Sequence, residues 1–294
     1  MRLLIIGSKG QLGSELVRKC KKNDFSFLGL DLPEFDITDT SCVEKTLADF
    51  RPSIVINASA YTNVDKAETE PKIAFAVNSD GPANLAVSCE KNRIPIIHIS
   101  TDYVFDGSKG QPYTESDPVS PLGVYGKSKE EGESKLRSIL KQHIILRTSW
   151  LYGTYGNNFV KTMLRLGNEK EIIKVVSDQY GCPTCAADLA EAVVDVSKQI
   201  AQNLKISWGT YHYCGLGITT WHKFANAIFE IASQYHDYKV SSVEAITTAQ
   251  YPTRTKRPAF SALDCGLFKK HFGINIKPWQ ESLEKTLKQI LTVS

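Results

Sequence analysis

The chain has 294 residues, of which 42% are hydrophobic and 23% charged, with a formal net charge of +3. This composition supports a sizeable core and excludes general disorder, and so small a charge excess argues against nucleic acid or an anionic membrane as a partner. No run approaches the roughly 20 continuous apolar residues of a membrane helix, and the N-terminal apolar run is too short for a signal peptide, so a cytoplasmic protein is expected.

Leu3–Ile6 reads as a short apolar strand. Gln11–Lys21 has helical spacing, with Leu12, Leu16 and Val17 on one face. Phe25–Leu30 is a second strand ending at Asp31, Cys42–Phe50 a second helix closed by Pro52, and Ile54–Ala58 a third strand. Ile73–Asn92 carries a long apolar helical stripe. Ile94–Ile99, Tyr125–Leu140 and His143–Leu146 follow as strand, helix and strand. The strands are continuous apolar runs, which belong to a parallel sheet covered on both faces. Their strict alternation with helices predicts an α/β fold with a doubly wound parallel sheet of the Rossmann kind. After Trp150 the pattern loosens. Asp188–Lys198 reads as a helix, Thr210–Cys214 as a strand, Trp221–Tyr235 as a helix capped by Thr219, and Gln280–Leu291 as the closing helix; residues 236–278 read as irregular.

Gly7, Gly10 and Gly13 stand between the first strand and the first helix. The first suits a tight turn, the second the close approach of a pyrophosphate, and the third close helix–strand packing. A helix N-terminus offers free N–H groups to phosphates, so the segment from Gly7 through Gln11 and Leu12 to Gly13 predicts a dinucleotide site. Asp31, at the end of the second strand, can accept hydrogen bonds from ribose hydroxyls and would repel a 2′-phosphate, which favours NADH over NADPH. Asp36 and Ile37 suit a loop flanking adenine, and the small residues around Ala60 leave room for the cofactor. Residues 1–150 therefore read as a dinucleotide-binding domain, to which 188–214 return; 151–187 and 215–294 read as a smaller substrate-binding lobe.

Tyr125 and Lys129 are spaced to share one helix face. An ammonium near a phenol lowers its pKa, which would make Tyr125 a general acid for a carbonyl oxygen, while Lys129 can also hold the nicotinamide ribose. The strand Ile96–Thr101 ends in the hydroxyls of Ser100 and Thr101; Thr101 is the favoured hydrogen-bond donor to the substrate oxygen. His98, within that strand, reads as a satisfied core histidine. Seven cysteines fit reduced thiols. Cys182 and Cys185 form a C-x-x-C without a second ligand pair, and no metal is expected.

These motifs occur together with Tyr61–Glu68, Ser100–Gly107, Ser120–Gly126, Arg147–Trp150, Asn157–Phe159, Asp178–Thr184 and Arg257-Pro258. In that order, over nearly the whole chain, they resemble the extended short-chain dehydrogenase/reductases and, within them, the dTDP-4-dehydrorhamnose reductase family. The resemblance implies reduction of the 4-keto group of dTDP-4-dehydro-6-deoxy-L-mannose to dTDP-L-rhamnose by NADH or NADPH. It implies Tyr125 as proton donor, Lys129 as the ribose-holding lysine, and Thr101 and Asp102 as residues that touch the sugar and tune the tyrosine. It implies Trp150 as an aromatic wall of the sugar pocket. Gly10, Gln11, Leu12, Asp31, Asp36, Ile37, Ala60, Tyr61, Thr62 and Ile99 match cofactor-contact positions. Arg257, with Arg254 and Lys256, is a candidate for the diphosphate; Asn158 and Arg165 are further substrate candidates, and Gln179 and Thr184 are candidates for the base pocket. A homodimer is compatible with these features. Two other readings stay open: another nucleotide-sugar 4-keto reductase or epimerase, and a non-enzymatic regulatory subunit of the methionine adenosyltransferase type.

Overall fold

A computed structural model describes residues 1–202 and 204–292. Six strands form one sheet: Arg2–Ile6 (β1), Ser26–Leu30 (β2), Ile54–Asn57 (β3), Ile96–Thr101 (β4), His143–Thr148 (β5) and Gly209–His212 (β6). Their order is β6-β5-β4-β3-β1-β2, and each neighbouring pair is parallel. The apolar runs are buried on both faces because successive side chains point to opposite sides. Leu3 and Ile5 of β1 pack with Leu12 and Leu16 of the first helix. Leu4 and Ile6 enter a second core with Val43, Leu47 and Leu85. The chain leaves β1 for β2 on one side and returns to β3 on the other, so a crevice opens outside the C-terminal ends of β1 and β3, where ligands bind in such sheets.

The helix Ala186–Ala201 packs on the first helix, Gln11–Lys22, and leads into β6. A third core joins the helices Phe159–Glu169, Trp221–Ala232 and Trp279–Thr292 through Val160, Leu164, Phe224, Ile228 and Leu283. The stretch expected to be irregular holds a strand, Ser242–Ile246, paired with Ile172–Val176, and a helix, Gly266–Phe272. Ser242–Ile246 carries no fully buried side chain, so its apolar pattern is faint. Thr220, not Thr219, caps Trp221–Ala232: its Oγ1 accepts from the Lys223 N–H at 3.2 Å. No helix among the described residues is long and apolar enough to cross a membrane.

The long stripe Ile73–Asn92 is not one α-helix. It divides into Pro71–Phe75, a π-helical turn Ala76–Asp80 and Gly81–Asn92. Pro82 lacks the N–H that a continuous helix would need there. The wider turn directs Asn78 inward. Its Oδ1 accepts from the Tyr61 N–H at 2.8 Å, and its Nδ2 donates to the Tyr61 carbonyl at 3.0 Å and to Ser128 Oγ at 3.1 Å. The side chain thus clamps the loop after β3 to the helix Val124–Ile139.

That helix is anchored to β5 by a buried ion pair. Arg147 donates from Nε to Glu133 Oε1 at 3.0 Å and from Nη2 to Oε2 at 2.7 Å, and both side chains are buried. The Arg147 guanidinium also lies 5.2 Å from the centre of the Phe105 ring. Arg137 Nη1, near the surface, also donates to Glu133 Oε2 at 2.9 Å, so removing Arg147 leaves the buried carboxylate with that one peripheral partner, whereas replacing both members by apolar groups removes the penalty. Arg147→Leu is expected to lower unfolding stability by about 3–5 kcal/mol, and the double change with Glu133→Leu to recover most of it, as read by urea denaturation.

Candidate active site

The first glycine loop is shaped by contacts that exclude side chains. Gly7 has φ +80°, and a Cβ on it would lie 2.7 Å from the Ser59 nitrogen. A Cβ on Gly13 would lie 2.0 Å from the Gly7 carbonyl oxygen. Gly10 differs: its Cβ would meet only the Gly7 oxygen, at 3.3 Å, so the space beside it is left open by the protein itself. Gly10 caps the first helix without any side-chain hydrogen bond, and the neighbouring Gln11 Oε1 is buried with no partner. An open cradle at a helix N-terminus with an unpaired buried amide fits a dinucleotide pyrophosphate.

Asp31 borders this loop. Its Oδ2 accepts from the Lys9 N–H and its Oδ1 from the Leu32 N–H, both at 2.9 Å. The Lys9 ammonium donates to the Leu32 carbonyl and to Glu34 Oε2, each at 2.9 Å, so a cation accompanies the carboxylate at this edge. Asp36 Oδ1 accepts from Thr38 N and Oγ1 within its own turn. The Ile37 side chain is buried in the second core, and its carbonyl accepts from Asn84 Nδ2 at 3.2 Å. Ala60 is half-buried and Thr62 exposed at the mouth of the crevice, with Tyr61 between them bonded through its hydroxyl to Glu70 Oε2 at 2.7 Å.

Tyr125 lies in the first turn of Val124–Ile139, whose Val124 N–H is capped by Glu68 Oε1 at 2.8 Å. Its ring packs edge-on against Tyr103, with centres 5.5 Å apart. Thr101, at the end of β4, lies beside Tyr125; its Oγ1 donates to Asp102 Oδ1 at 3.1 Å and accepts from the Tyr103 N–H at 3.2 Å. Ser100 faces Glu133 instead. Burial pushes the Tyr125 hydroxyl well above its ordinary pKa, and the neighbouring Thr101 opposes that rise. Lys129 does not supply the lowering that its spacing suggests. Its Nζ donates to the Ile99 carbonyl at 2.7 Å and faces His98 Nε2 at 3.4 Å, and burial drops its pKa to about 8. Asp102 is raised to about 6 by burial, with the neighbouring Ser261 and the bond from Thr101 working against the rise, and its Oδ2 is buried without a partner.

In the second lobe, Trp150 has φ +47° and stacks on Trp221 with ring centres 3.6 Å apart. A Cβ on Gly181 would lie 2.4 Å from the Trp150 ring, so the indole is held between Gly181 and Trp221. Trp221 escaped the sequence reading because its helical position reads as core; only folding brings it to Trp150. Arg257 reaches Asp65 at 3.3 Å, and its Nε is buried without a partner. Arg254 and Lys256 are exposed. Asn158 caps Phe159–Glu169: its Oδ1 accepts from Lys161 N at 3.1 Å and its Nδ2 donates to the Gly153 carbonyl at 2.9 Å, so its amide is engaged by backbone. Arg165 pairs with Glu169 on the exposed face of that helix. Gln179 donates to Thr248 Oγ1 at 3.1 Å. Thr184 is fully buried, and its N–H donates to the Trp150 carbonyl at 3.2 Å. Cys182 and Cys185 part company: Cys182 joins the core of Cys214 and Cys265, while Cys185 meets Thr286 Oγ1 at 3.5 Å.

A doubly wound sheet, a glycine loop at its switch point and a Tyr125/Lys129 helix beside the end of β4 define a short-chain dehydrogenase/reductase architecture. The family model for the RmlD substrate binding domain matches residues 1–292, and the chain belongs to that family. A dTDP-4-dehydrorhamnose reductase of Aggregatibacter actinomycetemcomitans is 46% identical over 285 residues, covering 96% of this chain and 97% of that protein. Among solved structures, a dTDP-4-dehydrorhamnose reductase of Clostridium acetobutylicum is 39% identical with a TM-score of 0.92, covering 99% of both chains. The Bacillus anthracis dTDP-4-dehydrorhamnose reductase, in complex with NADP, is 37% identical with a TM-score of 0.90, covering 98% of this chain and 99% of the other.

The lysine gives a pH test. Native Lys129 holds its proton only below about pH 8, against 10.5 ordinarily, so between these values the unfolded chain binds more protons and native stability rises with pH. The stability gained by Lys129→Met, measured by denaturant melts, is therefore expected to be larger at pH 7 than at pH 10.

Proposed function

We propose that this chain reduces the 4-keto group of dTDP-4-dehydro-6-deoxy-L-mannose to dTDP-L-rhamnose, as an NAD(P)H-dependent oxidoreductase. The observation that carries the reading is the buried Thr101–Tyr125 pair at the end of β4, beside the crevice of the glycine loop, in a chain of this family. A bound nicotinamide supplies hydride to C4 of the sugar. Tyr125 gives its phenolic proton to the oxygen on which charge develops, and Thr101 would turn its one O–H from Asp102 Oδ1 to that oxygen. Fixed donors in a dry site stabilise such charge more than water does. Asp102 holds the threonine hydroxyl in place until the substrate oxygen takes the bond. Lys129, Ile99, the Gly7–Gly13 loop, Gln11, Leu12, Asp31, Asp36, Ile37 and the segment Ala60, Tyr61 and Thr62 would hold the dinucleotide. Trp150, supported by Trp221, would face the sugar, and Arg257 would pair with the diphosphate. In this division, residues 1–150 and 188–214 hold the cofactor, and 151–187 and 215–294 hold the nucleotide sugar.

The choice between cofactors rests on Asp31. Its carboxylate disfavours a 2′-phosphate, while Lys9 at the same edge is engaged by Glu34. NADH is the favoured donor on this reading, although the Bacillus anthracis relative binds NADP. The activity is read as cytoplasmic, which the unpaired state of all seven cysteines supports. A homodimer through the exposed Ile73 and Val87 is part of the same reading, and sedimentation would measure it.

Tyr125→Phe is expected to lower kcat by about 10²–10⁴-fold while cofactor binding is retained, measured by cofactor oxidation with the keto-sugar nucleotide. Turnover near the unmodified rate would sink the assignment of Tyr125, and a product epimeric at C4 in the sugar NMR spectrum would replace the rhamnose reading by another 4-keto reductase. A kcat/KM for NADPH well above that for NADH would overturn the role given to Asp31.

A further inference from the structure

His98 is fully buried in β4, and its two ring nitrogens face different partners. Nδ1 lies 3.0 Å from Asn57 Nδ2 on β3, and Nε2 lies 3.4 Å from Lys129 Nζ. The orientation of Asn57 is set from the other side. Its Oδ1 accepts from the Ser59 N–H at 3.1 Å and from Ser59 Oγ at 2.7 Å. A backbone N–H only donates, so the amide oxygen must face Ser59 and the NH₂ group must face His98. An NH₂ group also only donates, so His98 Nδ1 must carry its lone pair there. A neutral imidazole then bears its single proton on Nε2, directed at Lys129. An N–H against an ammonium is a clash of two donors; against a neutral amine it is a hydrogen bond. The Ile99 carbonyl accepts from Nζ in either state.

We propose that His98 is a positioning residue: Asn57 locks it in the Nε2–H tautomer, and its N–H, aimed at Lys129, favours the neutral amine. The inference rests on the reading of Lys129 as part of the reductase site. Its consequence is a lysine able to release its proton near working pH, where a fully hydrated one would remain a fixed cation. The other titratable groups near Lys129 do not supply this bias. Glu133, one turn along the same helix, favours the ammonium, although its own charge is engaged by Arg147. Tyr125 shares the helix and lies beside Thr101, while Asp102 and Tyr103 act on Tyr125; His143 lies beyond His98 and acts on it.

The test is NMR of the full chain labelled with ¹⁵N-histidine and ¹³Cε-lysine, with Lys129→Met assigning the lysine signal. The expected spectrum shows His98 with an unprotonated Nδ1 and a protonated Nε2 from pH 5 to 9. In Asn57→Asp, the carboxylate accepts from Nδ1–H, so the tautomer should reverse and the Lys129 midpoint should rise by about one pH unit or more. The alkaline limb of kcat/KM should move with it. His98→Gln, which can turn its carbonyl towards Nζ, should raise the same midpoint and keeps the test open if Asn57→Asp does not fold. A wild-type Nδ1–H tautomer overturns the proposal, as does a Lys129 midpoint unmoved in His98→Gln or a rise in Asn57→Asp without tautomer reversal. These readings do not need turnover: a Tyr125→Phe protein of normal activity would fail the reductase reading and leave the tautomer result standing.

Discussion

The bond from Lys129 Nζ to the Ile99 carbonyl, 2.7 Å long and buried between β4 and the helix Val124–Ile139, organises the site. It fixes the rotation of the helix against the sheet. Tyr125, one turn earlier, is thereby brought to Thr101 at the strand end. The same bond holds an amine in a place where burial disfavours its charge. Arg147 and Glu133 secure the far side of the helix, and Asn78, turned inward by the π-helical segment, secures the loop after β3.

These restraints share a logic. Each is a buried polar group satisfied by a partner on another element, so the relative position of helix, strands and loops is specified more narrowly than apolar packing would require. A proton donor and a hydroxyl must lie within hydrogen-bond reach of one oxygen to act together, and a displacement of about 1 Å is enough to impair such geometry. The Trp150–Trp221 stack restrains the second lobe in the same way, holding one indole flat against another between two of its segments.

Much of this was legible beforehand. The sheet could be read because its strands are uninterrupted apolar runs, and the glycine loop because Gly7 and Gly13 answer to local backbone contacts. Tyr125 and Lys129 could be paired because a helix repeats every turn. The strand Ser242–Ile246 could not, since its exposed side chains carry no periodic signal. Nor could the break in Ile73–Asn92: an inward-turned Asn78 depends on Tyr61 and Ser128, which are distant in the chain. Asn158 and Thr184 belong to recognisable segments, yet one proved a helix cap and the other a core residue.

The sequence by itself determined the doubly wound architecture and the place of the glycine loop, and it set Tyr125 and Lys129 on one helix and Thr101 at a strand end, because these follow from local periodicity and from short spacings along single elements. Tertiary structure alone decided what each of those groups faces. Lys129 turned out to point to Ile99 and His98 rather than to the tyrosine, and Trp221 to support Trp150. The physical reason is that pKa values and hydrogen-bond roles depend on burial and on partners from other elements, and neither is encoded by distance along the chain.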